Sequence, residues 1–219
     1  MMNTSTALNT DLLSTYTTES IDNMNLLQRG VKRAADIFFS LLGLVCLSPI
    51  FLVIYIIQKC TSEGPAIFSQ ERIGYKGKPF NIYKFRTMVV DSEKNGPELA
   101  AKGDSRLTKF GKFLREHHLD ELPQLWNVLI GDMSLVGYRP ERQYYIDQIK
   151  QNNPAYDLLY CSRPGITSKA TIYNGYTDTM EKMLRRLDMD LEYLRTRTLT
   201  MDMKIIFRTV FSVGKGDKI

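Results

Sequence analysis

The sequence predicts an α+β chain, mostly helical, built from a broken apolar helix near the N-terminus, a small β-hairpin and a compact domain of further helices. Three observations predict it. Ile37 to Ile57 runs about 21 residues without a charge, interrupted by Ser48-Pro49. Two runs of strand character, around Ala66–Gln70 and Phe80–Thr87, flank a stretch holding Gly74 and Gly77. Farther on, apolar residues recur at helical spacing among charged ones.

Composition narrows the class. At 219 residues the chain is one globular unit with an appendage. A charged fraction of 24% with 11% aromatics excludes a disordered chain. Three cysteines without a CxxC pair exclude a disulfide framework and disfavour a zinc knuckle, and two histidines exclude a His-rich metal centre. The net charge of +5 suits an anionic partner: nucleic acid, a membrane surface or a phosphorylated substrate.

In chain order, residues 1–25 are rich in Ser, Thr and Asn and carry no Lys or Arg. They lack the basic start and apolar core of a secretory signal and read as a flexible leader. Residues 26–60 hold the apolar segment. As a helix its 21 residues would extend about 31 Å, close to the hydrocarbon thickness of a bilayer. Proline in a helix interior costs about 3 kcal/mol or more, and the halves on either side, about 18 Å and 12 Å long, are each too short to cross. Arg29, Lys32 and Arg33 precede the segment and Lys59 follows it, so neither flank carries all the positive charge. A helix that dips into one leaflet and returns fits both facts. A kinked spanning helix fits the apolar length, because membrane helices tolerate proline.

Residues 61–219 read as the domain proper. After the hairpin, 91–105 form a polar loop and Leu107–His117 a short basic helix. In LDELPQLWNVLIG, Asp120 stands at an N-cap position and Pro123 fits the first turn. Leu122, Leu125, Trp126 and Leu129 make an apolar stripe, and Gly131 is a stop. A helix over Glu141–Gln151 follows, and residues 179–213 are helical, ending in a Met-, Ile- and Phe-rich piece suited to a membrane surface or to its own domain.

The adjacent carboxylates Asp120 and Glu121 are ordinary at a helix start, where acidic side chains meet free N–H groups. Their company suggests more. Arg115 lies five residues earlier, Arg139 follows in GYRP, and Lys84 and Arg86 occupy alternate strand positions that share a face. Guanidinium forks and lysines bind phosphate oxygens, and two carboxylates among cations suit metal-assisted phosphoryl transfer. His117-His118 point about 100° apart on a helix and have no third histidine, which argues against a metal pair. Neither GxxxxGK[ST] nor GxGxxG is present. The aromatic and basic residues of NIYKFRT could stack on single-stranded nucleic acid, a reading the membrane segment weighs against.

With these residues in view, the chain resembles the bacterial sugar transferase family, the monotopic polyprenol-phosphate phosphoglycosyl transferases. The resemblance runs from about Gln28 to the C-terminus through KRAADIFFSLLGLVCLSPI, IFSQERIGYKGKPFNIYKFRTM, LREHHLDELPQLWNVLIGDMSLVGYRP and RPGIT. It implies the family's short form, with a re-entrant helix broken at Ser48-Pro49, at the cytoplasmic face of the bacterial inner membrane. It implies that Asp120 attacks the β-phosphate of a UDP-sugar, expels UMP and forms an aspartyl phosphosugar, which undecaprenyl phosphate then takes up. Glu121, with Asp120, would bind Mg²⁺; Arg115 and Arg139 would hold phosphate oxygens, with Lys84 and Arg86 in the same basic stretch. A helix N-terminus beneath Asp120 would keep it ionised. Tyr138 stands where the family usually has Pro, and residues 168–183 diverge from it, so no particular sugar carries over. A homodimer is compatible with the sequence. The rival readings are a catalytically silent, membrane-anchored scaffold and a peripheral nucleic-acid binder, and the first predicts that Asp120→Asn changes nothing.

Overall fold

The structure, a computed structural model, describes residues 21–94, 96–99, 104–175 and 177–215. The expectation of a mostly helical α+β chain holds. Helices α1 (Leu26–Cys46) and α2 (Ser48–Thr61) lead into the hairpin strands β1 (Ile67–Ile73) and β2 (Pro79–Phe85). Then come α3 (Lys109–Glu116), α4 (Gln124–Ile130), β3 (Ser134–Val136), α5 (Gln143–Asn152), β4 (Gly165–Thr167), α6 (Lys169–Asn174), α7 (Met180–Thr196) and α8 (Leu199–Lys215). β1 and β2 pair antiparallel from Ile67↔Phe85 to Ile73↔Pro79, while β3 and β4 form a short parallel pair.

Among the described residues no single helix is long and apolar enough to cross a membrane. α1 and α2 meet the apolar-length test only together, and they are bent by 58° at Leu47. The break therefore falls one residue before Ser48-Pro49, which become the first turn of α2, where proline costs nothing because its missing N–H has no helical partner. The Ser48 hydroxyl donates to the Val45 carbonyl (2.7 Å), tying the two helices across the bend. Along the pair, Phe38, Phe39, Leu41, Leu42, Val45, Leu52 and Val53 are exposed, a continuous apolar surface of the kind that soluble monomers avoid.

Both ends of this pair are fastened to the same domain. Arg33 donates to the carbonyls of Val128 (2.6 Å) and Leu129 (3.0 Å), satisfying the end of α4. Asp36, buried, accepts the Leu135 N–H at 3.0 Å. On α2, Ile54 is buried with Phe85 and Leu114, and the Gln58 amide donates to the Arg86 carbonyl (2.5 Å).

Three expectations are corrected. The stripe Leu122, Leu125, Trp126, Leu129 is not the core face of α4, whose buried residues are Gln124, Asn127 and Val128. Asn127 accepts from the Tyr83 N–H (3.0 Å) and donates to the Asn81 carbonyl (2.7 Å), so a polar side chain binds α4 to the edge of β2. Leu125 instead lies over Gly43 of α1, and Trp126 is 50% exposed. The helical run 179–213 is broken at Arg197, whose extended backbone separates α7 from α8. The Arg197 guanidinium pairs with both oxygens of buried Asp22. Residues 1–20 of the expected leader lie outside the described residues, but its last part is anchored, with Ile21, Asp22 and Met24 buried. The main core lies where α5, the 3-10 turns Pro154–Cys161 and α7 meet, around Tyr138, Ile146, Leu159, Leu187 and Leu194.

Candidate active site

One face of the hairpin floors a cleft of about 570 Å³. Phe68, Gln70 and Arg72 alternate along β1, and Ile82 and Lys84 alternate along β2, so all five side chains point the same way. The other walls come from Arg115 at the end of α3, the 3-10 turn Leu119–Glu121, and the segment after β3 that carries Arg139 and Glu141. The structure thus brings together Lys84, Arg86, Arg115, Asp120, Glu121 and Arg139. Ser48 and Pro49 do not line the cleft; they belong to the bend.

Local backbone geometry places each group. α3 ends at His117, and His118 takes a left-handed conformation (φ 53°) that reverses the chain into the turn holding Asp120. Histidine is among the residues that tolerate this region. The sequence expectation of Asp120 as an N-cap is therefore corrected: it lies inside a 3-10 turn, and Pro123 leads α4 without a side-chain cap. Gly111 lets α3 lie against the hairpin exit: a Cβ there would collide with the Thr87 carbonyl. That contact sets Thr87 beside Arg115, whose Nε donates to the Thr87 hydroxyl at 3.0 Å. Gly137 and Gly165 touch backbone to backbone where β3 meets β4, and a Cβ on either would strike main-chain atoms. Tyr138 is fully buried, so the turn at GYRP drives its ring into the core and delivers Arg139 to the cleft.

The two carboxylates differ. Glu121 Oε1 accepts from Lys84 Nζ (2.5 Å) and from Arg139 Nη2 (3.2 Å). Burial raises its pKa, but Lys84 and Arg139 outweigh burial and hold the carboxyl well below the usual range. Asp120 is 6% exposed, and among the described residues nothing donates a hydrogen bond to its carboxylate. Burial pushes it up to about 6 against the pull of Lys84, with Glu121 adding to the rise. The expected helix N-terminus is thus corrected to a 3-10 turn, and the direction of the shift is set by desolvation. A carboxyl at about 6 is still mostly ionised near neutral pH. Arg139 is held above its ordinary value, chiefly by the charge of Glu121.

The remaining cations divide into two groups. Among the described residues, neither Arg86 nor Arg115 is paired with a carboxylate; Arg86 donates to the Pro65 carbonyl (2.8 Å) and lies over the Phe68 ring. Deeper in the cleft, Arg72 and Arg186 share Glu141, and Arg142 grips both oxygens of Glu93 at 2.9 and 3.0 Å. Sequence reading missed this second group. The period-2 pattern of β1 could have found Arg72, which follows Gln70 on the cleft face; Arg186 lies 45 residues from Glu141 and leaves no local trace.

Asp120 and Glu121 fit a magnesium ion in kind. Mg²⁺ takes one or two carboxylates and completes its shell with waters and substrate phosphates. One oxygen of Glu121 and both of Asp120 are free of side-chain donors among the described residues. Among those residues there is no group of three or more His, Cys, Asp or Glu side chains that could hold a metal alone, so phosphate oxygens would have to complete the shell.

The sequence profile of the bacterial sugar transferase family matches residues 27–216. A UDP-glucose:undecaprenyl-phosphate glucose-1-phosphate transferase of Klebsiella pneumoniae is 46% identical over 190 residues, covering 86% of this chain and 41% of that protein. A UDP-N-acetylgalactosamine-undecaprenyl-phosphate N-acetylgalactosaminephosphotransferase of Aeromonas hydrophila is 37% identical over 186 residues, 85% of this chain and 44% of that one. The exopolysaccharide production protein PSS of Rhizobium leguminosarum bv. phaseoli is 39% identical over 199 residues, 85% of this chain and 98% of that protein. The chain thus spans less than half the length of the first two relatives and nearly all of the third.

Proposed function

The chain belongs to the bacterial sugar transferase family, and from that membership and the cleft we propose that it moves a sugar-1-phosphate from a UDP-sugar to undecaprenyl phosphate. UMP would be released, and the reaction would start the assembly of a capsule, exopolysaccharide or other glycan. The observation that carries the reading is the contrast at residues 120 and 121. Glu121 is neutralised by Lys84 and Arg139, while Asp120 beside it is, among the described residues, free of hydrogen-bond donors and within reach of the charge of Arg115, which has no carboxylate partner there.

In this reading Asp120 Oδ attacks the β-phosphorus of the donor. The bond from that phosphorus to the bridging oxygen breaks, and UMP leaves with the electron pair. A covalent aspartyl phosphosugar results. A phosphate oxygen of undecaprenyl phosphate then attacks the same phosphorus, and Asp120 regains its carboxylate as polyprenol-diphospho-sugar forms. Arg115 and Arg139 hold the non-bridging oxygens, with Lys84 and Arg86 adding positive charge along the floor. Glu121 and Asp120 would hold Mg²⁺, whose charge offsets that of the diphosphate.

The acceptor is a lipid, and the α1–α2 pair supplies the approach. Because Arg33 and Gln58 bind its two ends to one domain, the pair enters and leaves the membrane on the same side. This supports the reading of a re-entrant, monotopic enzyme, for which the proposed location is the cytoplasmic face of the inner membrane.

The test is UMP release by detergent-purified protein given Mg²⁺, undecaprenyl phosphate and a panel of UDP-sugars, with Asp120→Asn in parallel. Release from one or two donors, lost in the variant, is the expected result. Turnover that survives in Asp120→Asn would remove Asp120 as nucleophile. Folded protein silent on every donor would favour the scaffold.

A further inference from the structure

A second cavity, about 70 Å³ in volume, shares no lining residue with the catalytic cleft. It lies between the first turns of α1, the hairpin turn, the start of β3 and the segment leading to β4. Five cationic side chains reach it, and three of them are balanced. Arg29 and Arg197 share Asp22, and Lys32 meets Asp202 at 2.6 Å. Among the described residues, Arg33 and Arg163 have no such ion pair. Arg33 spends two N–H groups on the Val128 and Leu129 carbonyls. Arg163 spends one on the Gly131 carbonyl (2.8 Å) and rests over the Tyr75 ring. Asp36, the carboxylate in the lining, already has Oδ1 occupied by the Leu135 N–H.

Each guanidinium carries five N–H donors, so both arginines keep donors in hand. They also act on each other: burial, and then the charge of Arg163, pull the Arg33 guanidinium below its ordinary value against a smaller opposing pull from Asp36. Ser134 stands in the same lining, 1% exposed, and its buried hydroxyl has no hydrogen-bond partner among the described residues. Two partly desolvated guanidiniums and an idle hydroxyl around a small void are complementary to a tetrahedral anion with several oxygens.

Position selects the anion. Exposed Leu26, Leu27 and Val31 at the start of α1 are interspersed with Arg29, Lys32 and Arg33, whereas from Ile37 and Phe38, about one turn beyond Arg33, the exposed side chains of α1 are all apolar. A cavity at that height on the membrane-seated helix lies at the level of lipid phosphates. We propose that it is a headgroup site for an anionic phospholipid, with the phosphate held by Arg33, Arg163 and Ser134. The assignment rests on the membrane seating described above and not on the transfer reaction.

The test uses the full chain in detergent micelles, by native mass spectrometry with equal amounts of phosphatidylglycerol and phosphatidylcholine, alongside thermal unfolding. Wild-type protein is expected to retain phosphatidylglycerol about tenfold over phosphatidylcholine, as two interfacial cations allow. Ser134→Asp supplies the cavity with its own anion. It should abolish the preference and raise the melting temperature in lipid-free detergent, a pairing that misfolding cannot imitate. Arg163→Gln should lose the preference as well. Equal retention of the two lipids by wild-type protein overturns the proposal, as does a preference left intact in both variants. Inorganic phosphate that stabilises as well as phosphatidylglycerol does would mark a free-anion site, and displacement of phosphatidylglycerol by equimolar undecaprenyl phosphate would mark an acceptor site; either outcome overturns the phospholipid assignment.

Discussion

Lys84 of β2 and Glu121 of the turn before α4 meet at 2.5 Å, and this contact joins the hairpin to the segment that carries Asp120. Arg139 reaches the same Glu121 oxygen from the far wall at 3.2 Å, so one carboxylate gathers three parts of the chain. The pairing also distinguishes the two neighbours: Glu121 is compensated by two cations, and among the described residues Asp120 accepts from none.

Removing the lysine should therefore be felt twice. Lys84→Met leaves Glu121 buried with Arg139 alone, at a cost of about 1–3 kcal/mol of stability. It also withdraws the cation that opposes the burial of Asp120, so UMP release should fall by about 100-fold at neutral pH. Denaturant unfolding and initial rates would check the two halves separately. A rate within about threefold of wild type would remove Lys84 from the site's electrostatics.

The Asp120 carboxyl, at about 6 against 3.8 for an unperturbed side chain, makes two pH predictions of opposite sign. Attack needs the ionised form, so single-turnover UMP release should fall about tenfold per pH unit once the pH drops below about 6. The folded state holds this proton more tightly than the unfolded chain does. Stability therefore declines as pH rises from about 4 to 6 and stays lowered above that range.

It follows that Asp120→Asn should melt higher than wild type at pH 7.5, by on the order of 1–3 kcal/mol, while losing turnover. Calorimetry of the pair would show it. A variant less stable than wild type would mean that the carboxylate is better solvated than its burial implies.

Gly111→Ala inserts a methyl group against the Thr87 carbonyl. Overpacking of this kind costs about 1–3 kcal/mol. Because Thr87 orients Arg115, KM for the donor should rise more than kcat falls, which steady-state kinetics on the folded variant would resolve.

The topology can be read by labelling. Cys60 is exposed near the end of α2, and a cysteine placed at Gln28 would mark the start of α1. Probed one at a time with a membrane-impermeant maleimide, both should react in inside-out vesicles and neither in spheroplasts. Opposite accessibility would establish a spanning pair.

Much of this was readable from residues alone, and the failures share a cause. The hairpin was visible from its β-branched and aromatic runs and the glycines between them, and Gly131 was visible as a stop because only the left-handed region (φ 103°) ends α4 there. Lys84 and Arg86 were correctly assigned one face because strand alternation is local. The apolar stripe of α4 misled because periodicity reports that a face is apolar, not what covers it; here Asn127 holds the inner face by its amide, and Leu125 turns to α1. The break at Arg197 and the burial of Ile21 and Asp22 were hidden for a related reason. Both depend on an ion pair between residues 175 positions apart. The Arg72–Glu141–Arg186 group likewise exists only once β1, the segment after β3, and α7 have come together.

The double fastening of the α1–α2 pair has a consequence for how the enzyme would sense its lipid surroundings. A helix that crosses a bilayer measures its full thickness and must tilt or stretch when that thickness changes. In the proposed seating, a bent pair pinned at Arg33 and Gln58 to one body would measure depth from a single surface. Lengthening the acyl chains of the host bilayer would then leave the distance between Asp120 and the phosphate plane unchanged. The chemistry of the near leaflet, rather than the thickness of the bilayer, would set how readily the acceptor reaches the cleft.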